Sequence, residues 1–281
     1  MSSESLSPKL GRYWQNRRIV LCGASAGLGL QLGIELAKAQ PSALFLIGRN
    51  LEPLQSARQR LQELAPKCNI ECTDVDVCDF PSLHDAAQRV TSNQSVDLMI
   101  NAVGMSSRGS LLSSTSQDLE HSFRINVTSA LHCLQAFHPM LKQTQGCGVL
   151  IGSLASLFAP RFLGGYAVAK HGLAALAQQA RLELLEDKVH VMLACPGPIQ
   201  RSDAGSRYSA ANDADLPASA LQPGGGAKVK GLDPTKLSQE ILVAAGKRKR
   251  RIIRPRSALL LHWISSLSPG VGEAILRRKT S

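Results

Sequence analysis

Aromatic residues are scarce in this sequence, at 4% of 281 residues, and no apolar run approaches the ~20 residues that span a bilayer. The spacing patterns typical of metal ligands, such as H-E-x-x-H or a Cys/His cluster, are absent, so we expect no metal site. Seven cysteines without a C-x-x-C pair predict no disulfide framework and fit a reducing, cytoplasmic location. The polar stretch Met1 to Arg18 has no apolar segment typical of a signal peptide.

Charge is distributed unevenly along the chain. The whole sequence has 32 basic and 21 acidic residues, a formal charge of +11. Residues 228–281 hold 13 of the basic and 3 of the acidic residues, so a net +10 lies in this last fifth of the chain. A balance this basic suggests nucleic acid or an anionic membrane as a partner, and any explanation must concern this segment.

Short apolar runs alternate with helical patterns along the rest of the chain. This alternation predicts an α/β domain with a parallel sheet covered on both faces. The expected strands lie at residues 19–21, 43–47, 70–75, 96–100, 149–151, 189–194 and 252–253. The expected helices include a first one ending near residue 39, then 51–64, 82–91, 117–141 with a capping box at Thr115 and Asp118, 166–186, and one opened by Asp233 and Pro234.

Residues 201–230 interrupt this alternation of strands and helices, because they are rich in Ser, Ala, Asp, Pro and Gly. A loop of this length inside a compact domain is usually functional. It follows the sixth strand, which places it at the carboxyl edge of the sheet, where open α/β sheets bind ligands. We therefore expect it to be a substrate loop.

A glycine-rich turn follows the first strand directly and opens a helix. Glycines allow a pyrophosphate to approach the backbone, and the helix N-terminus offers free N–H groups and a positive dipole. A glycine pattern alone could be a plain turn, but the strand–turn–helix context favours a dinucleotide site. The turn contains Gly23, Ser25, Gly27, Leu28 and Gly29.

Arg49 stands at the end of the second strand, where NAD enzymes carry an acidic residue for the ribose 2′-hydroxyl. An arginine there would pair with a 2′-phosphate, so we favour NADP(H) over NAD(H). The alternative is that Arg49 only solvates the end of a strand.

Tyr166 and Lys170 are four residues apart at the start of one predicted helix and so share a face. A nearby ammonium stabilises a phenolate and lowers its pKa, which makes a tyrosine usable as an acid at neutral pH. Ser153 ends a strand 13 residues earlier, and Asn126 lies inside the long predicted helix.

With these four residues the sequence resembles the short-chain dehydrogenase/reductase family over about residues 15–256. The resemblance implies a Rossmann-type, doubly wound, seven-stranded parallel sheet in the order 3-2-1-4-5-6-7, with three helices on each side. It implies Tyr166 as the general acid of carbonyl reduction, Lys170 as the group that holds the nicotinamide ribose and lowers the tyrosine pKa, Ser153 as a donor to the carbonyl oxygen, and Asn126 as the anchor of a water in a proton relay. Further cofactor positions implied are Asp76, Val77, Asn101, Gly104, Pro196, Gly197 and Ile199.

Three positions depart from the family pattern. Cys22 and Ala102 replace the usual Thr and second Asn, and Arg201 stands where a Thr often contacts the carboxamide. None of them removes a catalytic group.

The resemblance favours an NADPH-dependent carbonyl reductase, because a cytosolic NADP(H) pool is kept reduced. Residues 154–165 are mostly apolar, which suggests an apolar, lipid-like or steroid-like substrate, unless these side chains pack against neighbouring helices. Family resemblance also implies a homodimer or homotetramer through helices 117–141 and 166–186. One alternative function is a non-catalytic NADP(H)-binding sensor or scaffold, and a second is a membrane-tethering module whose redox chemistry is incidental.

The chain divides into an N-terminal arm at 1–14, the domain at 15–256, and a basic extension at 257–281. Lys247 to Arg251 form a dense basic run, and Leu260, Trp263, Ile264 and Leu267 share a helical face beyond it. An apolar stripe with Trp and flanking cations is typical of a helix lying in a membrane interface. We therefore expect peripheral contact with an anionic membrane through 247–281; subunit or core packing is the second interpretation. Nucleic acid is disfavoured, because stacking aromatics are scarce near the basic run.

Overall fold

A computed structural model of the chain describes residues 7–92, 94–200, 216 and 231–279. Within these residues seven strands form one sheet in the order β3-β2-β1-β4-β5-β6-β7, and all neighbouring strands pair in parallel. The predicted fold class and strand order are confirmed. The strands are β1 Arg18–Cys22, β2 Ala43–Gly48, β3 Asn69–Asp74, β4 Leu98–Asn101, β5 Cys147–Ile151, β6 His190–Pro196 and β7 Arg251–Arg254.

Helices cover both faces of this sheet. The described helices are α1 Ser7–Trp14, α2 Gly27–Lys38, α3 Leu51–Leu64, α4 Phe80–Thr91, α5 Ser116–Phe123, α6 Ser129–Thr144, α7 Gly164–Glu183, α8 Pro234–Gly246, α9 Ser257–Leu267 and α10 Pro269–Lys279. One hydrophobic cluster joins the sheet to α1, α2, α3 and α8, and a second joins it to α4, α6, α7 and α9.

The central strands are apolar along their whole length because both of their faces are buried. In β1, Ile19 and Leu21 belong to the cluster under α2, and Val20 belongs to the opposite cluster. All three are fully buried, and each such side chain contributes roughly 1.5–3 kcal/mol relative to exposure. In the edge strand β3 only Ile70 is buried.

The single long helix predicted for 117–141 is divided in two. Thr115 and Asp118 form the expected capping box at its start: the Thr115 Oγ1 accepts from the Asp118 N–H at 3.2 Å, and the Asp118 carboxylate accepts from the Thr115 N–H at 2.9 Å. A π-helical turn at Arg124–Thr128 then separates α5 from α6. Such turns insert one residue into a helix and are frequent at functional sites. Asn126 lies in this turn.

The stretch assigned to an N-terminal arm contains helix α1, which packs against α8. Leu10 and Trp14 are buried, and the Trp14 indole N–H donates to the Leu242 carbonyl at 3.2 Å. The helix thus belongs to the packed domain. None of the helices in the described ranges is both long and apolar enough to cross a membrane.

Candidate active site

The glycine-rich turn joins β1 to α2 in a conformation that requires glycine. Gly23 has φ +82°, and its N–H donates to the Ile47 carbonyl at 2.8 Å. A Cβ on Gly29 would lie 1.9 Å from the Gly23 carbonyl oxygen, so no side chain fits there. Ala26 caps α2 without a side-chain acceptor, so the first N–H groups of α2 are left to bind a ligand. This tight turn before an uncapped helix fits the diphosphate of a dinucleotide.

The ends of β2 and β3 lie beside this turn. Arg49, directly after β2, is exposed, and Asp76, shortly after β3, accepts a hydrogen bond from the Cys78 N–H at 2.9 Å. The neighbouring Val77 is buried. Because β1, β2 and β3 are parallel neighbours, their carboxyl ends meet at one edge of the sheet. The predicted ribose and adenine residues therefore lie at the same edge of the sheet as the turn, and the cation Arg49 reaches solvent there.

Asn101 holds the segment that follows β4. Its buried side-chain amide accepts from the Val103 N–H at 3.0 Å and donates to the Ser129 hydroxyl at 3.3 Å. The Ala102 N–H donates to the Cys22 carbonyl at 2.9 Å, which ties this segment to the end of β1. The departures from the family pattern at Cys22 and Ala102 therefore leave the backbone hydrogen bond between the ends of β1 and β4 intact.

Asn126 anchors the same segment from the helical side. Its amide nitrogen donates to the Met105 carbonyl at 2.9 Å and to the Ser122 carbonyl at 3.0 Å, and its amide oxygen accepts from the Met105 N–H at 3.2 Å. A Cβ on Gly104 would lie 3.0 Å from the Asn126 Oδ1 and 3.2 Å from the Lys170 Nζ. The Asn126 amide oxygen and the Lys170 ammonium therefore both lie next to Gly104.

Lys170 is an almost fully buried cation. It is 3% exposed, its Nζ donates to the Ile151 carbonyl at 2.9 Å, and the Nζ lies 5.8 Å from the centroid of the Tyr166 ring. Burial lowers the pKa of its ammonium from 10.5 to about 8. Tyr166 lies in the first turn of α7, partly buried against Ala155, Leu163 and Ala167.

Ser153 follows β5 and opens a short 3-10 turn at Leu154–Ser156. The Ser153 hydroxyl oxygen accepts from the Ala155 N–H at 3.1 Å, and the Ser156 hydroxyl oxygen accepts from the Ser153 N–H at 3.2 Å. A hydroxyl that accepts in this way keeps its own hydrogen for another acceptor. Sequence reasoning missed the positioning residues Ser156 and Ser129. The S-x-x-S capping pattern indicates the first, and no local pattern indicates the second.

The segment after β6 is tied to β7 and to the approach to α8. The Gly197 N–H donates to the Arg254 carbonyl at 2.7 Å. Farther on, the Gln200 N–H donates to the Leu232 carbonyl at 2.9 Å, beside a parallel bridge between Ile199 and Leu232. Pro196, Gly197 and Ile199 thus lie at the same sheet edge as the other predicted site residues. The predicted substrate loop 201–230 and Arg201 lie outside the described residues, apart from residue 216.

The apolar segment 154–163 is more tightly packed than a free substrate wall. Ala155, Phe158 and Leu163 are buried, and Leu154 and Leu157 pack against the cluster that contains α7. Packing against neighbouring helices therefore accounts for these side chains. Phe162, with φ +63° and a partly exposed side chain, remains at the surface of the segment.

Comparisons with known proteins identify the family and the fold to which this chain is similar. The family model described as short chain dehydrogenase matches residues 17–213. The chain is 26% identical over 278 residues to dehydrogenase/reductase SDR family member 7B of Bos taurus, covering 94% of this chain and 81% of that protein. It is 30% identical over 187 residues to 17-beta-hydroxysteroid dehydrogenase type 1 of Homo sapiens, covering 64% of this chain and 56% of that protein.

Solved structures share the fold. A short chain dehydrogenase from Burkholderia cenocepacia J2315, in complex with NADP, matches with a TM-score of 0.73 at 17% identity, covering 93% of this chain and 98% of that one. Levodione reductase matches with a TM-score of 0.74 at 18% identity, covering 85% of this chain and 96% of that one. At these identities the likeness concerns the fold alone.

Proposed function

This chain belongs to the short-chain dehydrogenase/reductase family, and we propose that it reduces the carbonyl group of an apolar ketone or aldehyde with NADPH. Members of the family are oxidoreductases that act on alcohol and carbonyl groups with a nicotinamide cofactor. The observation that carries the proposal is the buried Lys170 ammonium, 5.8 Å from the Tyr166 ring and directed with Asn126 toward Gly104. Burying a cation costs folding free energy, so a buried ammonium beside a phenol is typical of a functional site. Here the ammonium makes the phenol a better acid, because it stabilises the phenolate.

Four residues of the chain have separate roles in the proposed reaction. Ser153 donates its hydroxyl hydrogen to the substrate carbonyl oxygen, because the hydrogen bond that its oxygen accepts from the Ala155 N–H leaves this hydrogen available. Tyr166 then gives its Oη proton to the same oxygen as negative charge develops there. Lys170 stabilises the resulting phenolate electrostatically, and Asn126 holds the segment at Met105 against the helix. The nicotinamide, when bound, supplies the hydride.

Arg49 supports NADPH as the cofactor. Its guanidinium is exposed at the end of β2, next to the glycine-rich turn, and can form a paired, charge-assisted contact with a 2′-phosphate. The acidic residue that would bind an unmodified ribose is replaced there by this cation. NAD would leave Arg49 without an anionic partner.

An apolar substrate is supported by side chains near the site. Leu111 and Leu112, adjacent in the segment between β4 and α5, are 54% and 97% exposed, and together they form a small exposed apolar group. Their segment is tied to the start of α7, because the Gly164 N–H donates to the Gly109 carbonyl at 3.1 Å. The name of the human relative, a hydroxysteroid dehydrogenase, points to the same class of substrate.

A homodimer or homotetramer is part of this proposal. The helices that the family resemblance assigns to subunit contacts, α5–α6 and α7, each present a large apolar side chain to solvent. Leu131 on α6 is 40% exposed and Val168 on α7 is 38% exposed. Covering such residues is a usual role of a subunit interface.

A panel of carbonyl substrates tests the proposed activity. The panel runs from small aldehydes to 3-ketosphinganine and ketosteroids, and NADPH oxidation is followed in each case. We expect turnover to rise toward the larger apolar ketones. If the protein binds NADPH tightly but turns over no member of the panel, the non-catalytic sensor is the better interpretation.

A further inference from the structure

The last two helices present an apolar surface to solvent. Helix α10 folds back against α9, so closely that a Cβ on Gly272 would lie 2.3 Å from the Ser265 hydroxyl oxygen. We refer to residues 257–279 as the C-terminal hairpin. Its exposed large apolar side chains, with their exposed fractions, are Leu259 (44%), Leu260 (67%), Trp263 (60%), Leu267 (83%) and Val271 (51%).

The end of α7 extends this apolar surface. Leu182 and Leu185 are 67% and 69% exposed. They line one open groove together with Leu259 and Trp263 of the hairpin. The apolar side chains are therefore grouped rather than scattered singly, and grouped exposed side chains indicate an interaction site.

Cations surround the same groove. Lys247, Lys249, Arg250, Arg251 and Arg256 all line it. In the part of the chain that the structure describes, no carboxylate lies within ion-pair distance of these five side chains. Burial, together with the nearby charges of Arg251 and Arg250, lowers the pKa of the neighbouring Arg181 guanidinium. An unneutralised positive field next to exposed leucines favours an anionic and apolar partner.

The inner side of the hairpin contacts the apolar segment beside the proposed active site. His262 meets the Phe158 ring edge-on at 6.2 Å between centroids, and Leu261 and Ala258 belong to the same cluster as Phe158. Helix α9 thus lies between the exposed apolar surface and residues 154–163. Whatever covers the outer side of α9 is held close to the proposed substrate site.

We propose that this region docks on an anionic phospholipid bilayer. The docking surface consists of the basic run 247–251, Arg256, the exposed side chains of the C-terminal hairpin, and Leu182 with Leu185. The cations contact lipid phosphates and carboxylates, while Trp263 and the leucines enter the headgroup region. In combination with the proposed reductase activity, docking places the site beside a membrane-dissolved apolar ketone.

The charge separates this partner from the alternatives. A second copy of the chain would place the same cations against each other, and like charges facing each other oppose association. Nucleic acid would match the cations but would leave the leucines exposed. Helix α9 has 11 residues, about 16 Å of helix, against a bilayer core of about 30 Å. The surface therefore suits a position on a bilayer rather than across it.

Trp263 provides a direct test in the full-length protein. The sequence has two tryptophans, and Trp14 is only 5% exposed. A Trp14→Phe variant leaves Trp263 as the single reporter. We expect vesicles of phosphatidylcholine with phosphatidylserine to shift its emission to shorter wavelength, and brominated acyl chains to quench it. Phosphatidylcholine alone should give a much smaller change.

Two sets of substitutions separate charge from apolar contact. Lys247→Gln with Lys249→Gln and Arg250→Gln should weaken vesicle binding about 100-fold, since each cation near an anionic surface contributes roughly a fivefold factor. Leu260→Ser with Trp263→Ser and Leu267→Ser should weaken sedimentation with vesicles at least ~10-fold. The matched control replaces Arg58, Arg60 and Lys67 by Gln. These exposed residues lie in and just after α3, near the opposite edge of the sheet. The control should leave vesicle binding unchanged.

The outcomes of these vesicle-binding tests are distinct from the outcomes of the carbonyl-substrate panel. Equal loss in the control and the test variants, or no vesicle binding by the wild-type protein, overturns the docking proposal. Binding to duplex DNA but not vesicles, or a hairpin-dependent dimer without vesicle binding, also overturns it. The hairpin variant should still turn over a water-soluble ketone, and Tyr166→Phe should still bind vesicles. Failure of the substrate panel alone therefore leaves the docking result intact.

Discussion

The Lys170 ammonium lies 5.8 Å from the centroid of the Tyr166 ring and donates to the Ile151 carbonyl at 2.9 Å. The lysine is thereby fixed between the end of β5 and the first turns of α7. The proposed proton transfer from Tyr166 depends on this relationship. Burial makes the charged form of Lys170 less stable, and for this reason its pKa is lowered.

That lowered pKa predicts a pH dependence of stability. The folded protein releases the Lys170 proton near pH 8, whereas the unfolded chain holds it to about 10.5. Between these values the unfolded chain binds more protons, so the free energy of unfolding should rise with pH by up to about 1.4 kcal/mol per unit. Urea unfolding of the cofactor-free protein measures this slope. The difference from Lys170→Met isolates it from other groups, and an identical slope in both proteins would contradict the prediction.

Tyr166→Phe should remove the proton donor and preserve the shape of the site. We expect kcat for the best ketone of the panel to fall by about 100-fold to 10,000-fold, the usual contribution of general acid catalysis. The dissociation constant for NADPH, measured by fluorescence, should change little, because the ring remains packed against Leu163 and Ala167. Substantial retained turnover would refute Tyr166 as the acid.

Arg49→Asp should reverse the cofactor preference. Loss of a charge-assisted contact to the 2′-phosphate costs roughly 1.5–3 kcal/mol, so NADPH affinity should fall about tenfold or more. The introduced carboxylate can accept from a ribose 2′-hydroxyl, so NADH should bind at least as well as before. Arg60→Asp, an exposed position on α3, is the control for charge alone. Equal affinity of the wild-type protein for both cofactors would sink the assignment to Arg49.

Gly29→Ala should damage the cofactor turn specifically. The added Cβ would lie 1.9 Å from the Gly23 carbonyl oxygen, which forces the backbone to move. We expect NADPH binding to be lost and the free energy of unfolding to fall by about 1–3 kcal/mol. Gly11→Ala in α1 is the matched control, because no atom lies within 4 Å of its Cβ position. That control should stabilise the helix by about 0.5–1 kcal/mol. Thermal unfolding compares the two, and unimpaired NADPH binding by Gly29→Ala would contradict the proposed turn.

Local patterns were sufficient to predict most of the sheet and part of the site. The predicted helix 51–64 has those bounds in the structure, and the capping box at Thr115 and Asp118 is formed. The apolar runs predicted the strands because a parallel sheet buries both faces of each central strand. The glycine turn was recognisable because a strand and a helix flank it at close range.

Features that depend on distant contacts were not predictable in this way. Phe123, Val127 and Leu131 recur every four residues in the sequence, which is a helical spacing. Periodicity therefore does not reveal the π-helical turn around Asn126. Helix α1 is short and mostly polar, and it is stabilised by Leu10 and Trp14 packing against a helix more than two hundred residues away in sequence. The solvent exposure of Leu182 and Leu185 is likewise a property of packing alone.

The hydrogen bond from the Gln200 N–H to the Leu232 carbonyl, at 2.9 Å, joins the two ends of the segment that carries the predicted substrate loop. With its ends joined, the segment can be lengthened, shortened or exchanged without altering the separation of the strands and helices that flank it. A graft of residues 201–231 from another reductase therefore begins and ends at a fixed pair of backbone groups. The residues proposed to be catalytic all lie outside this segment, so exchanging it should leave their positions unchanged.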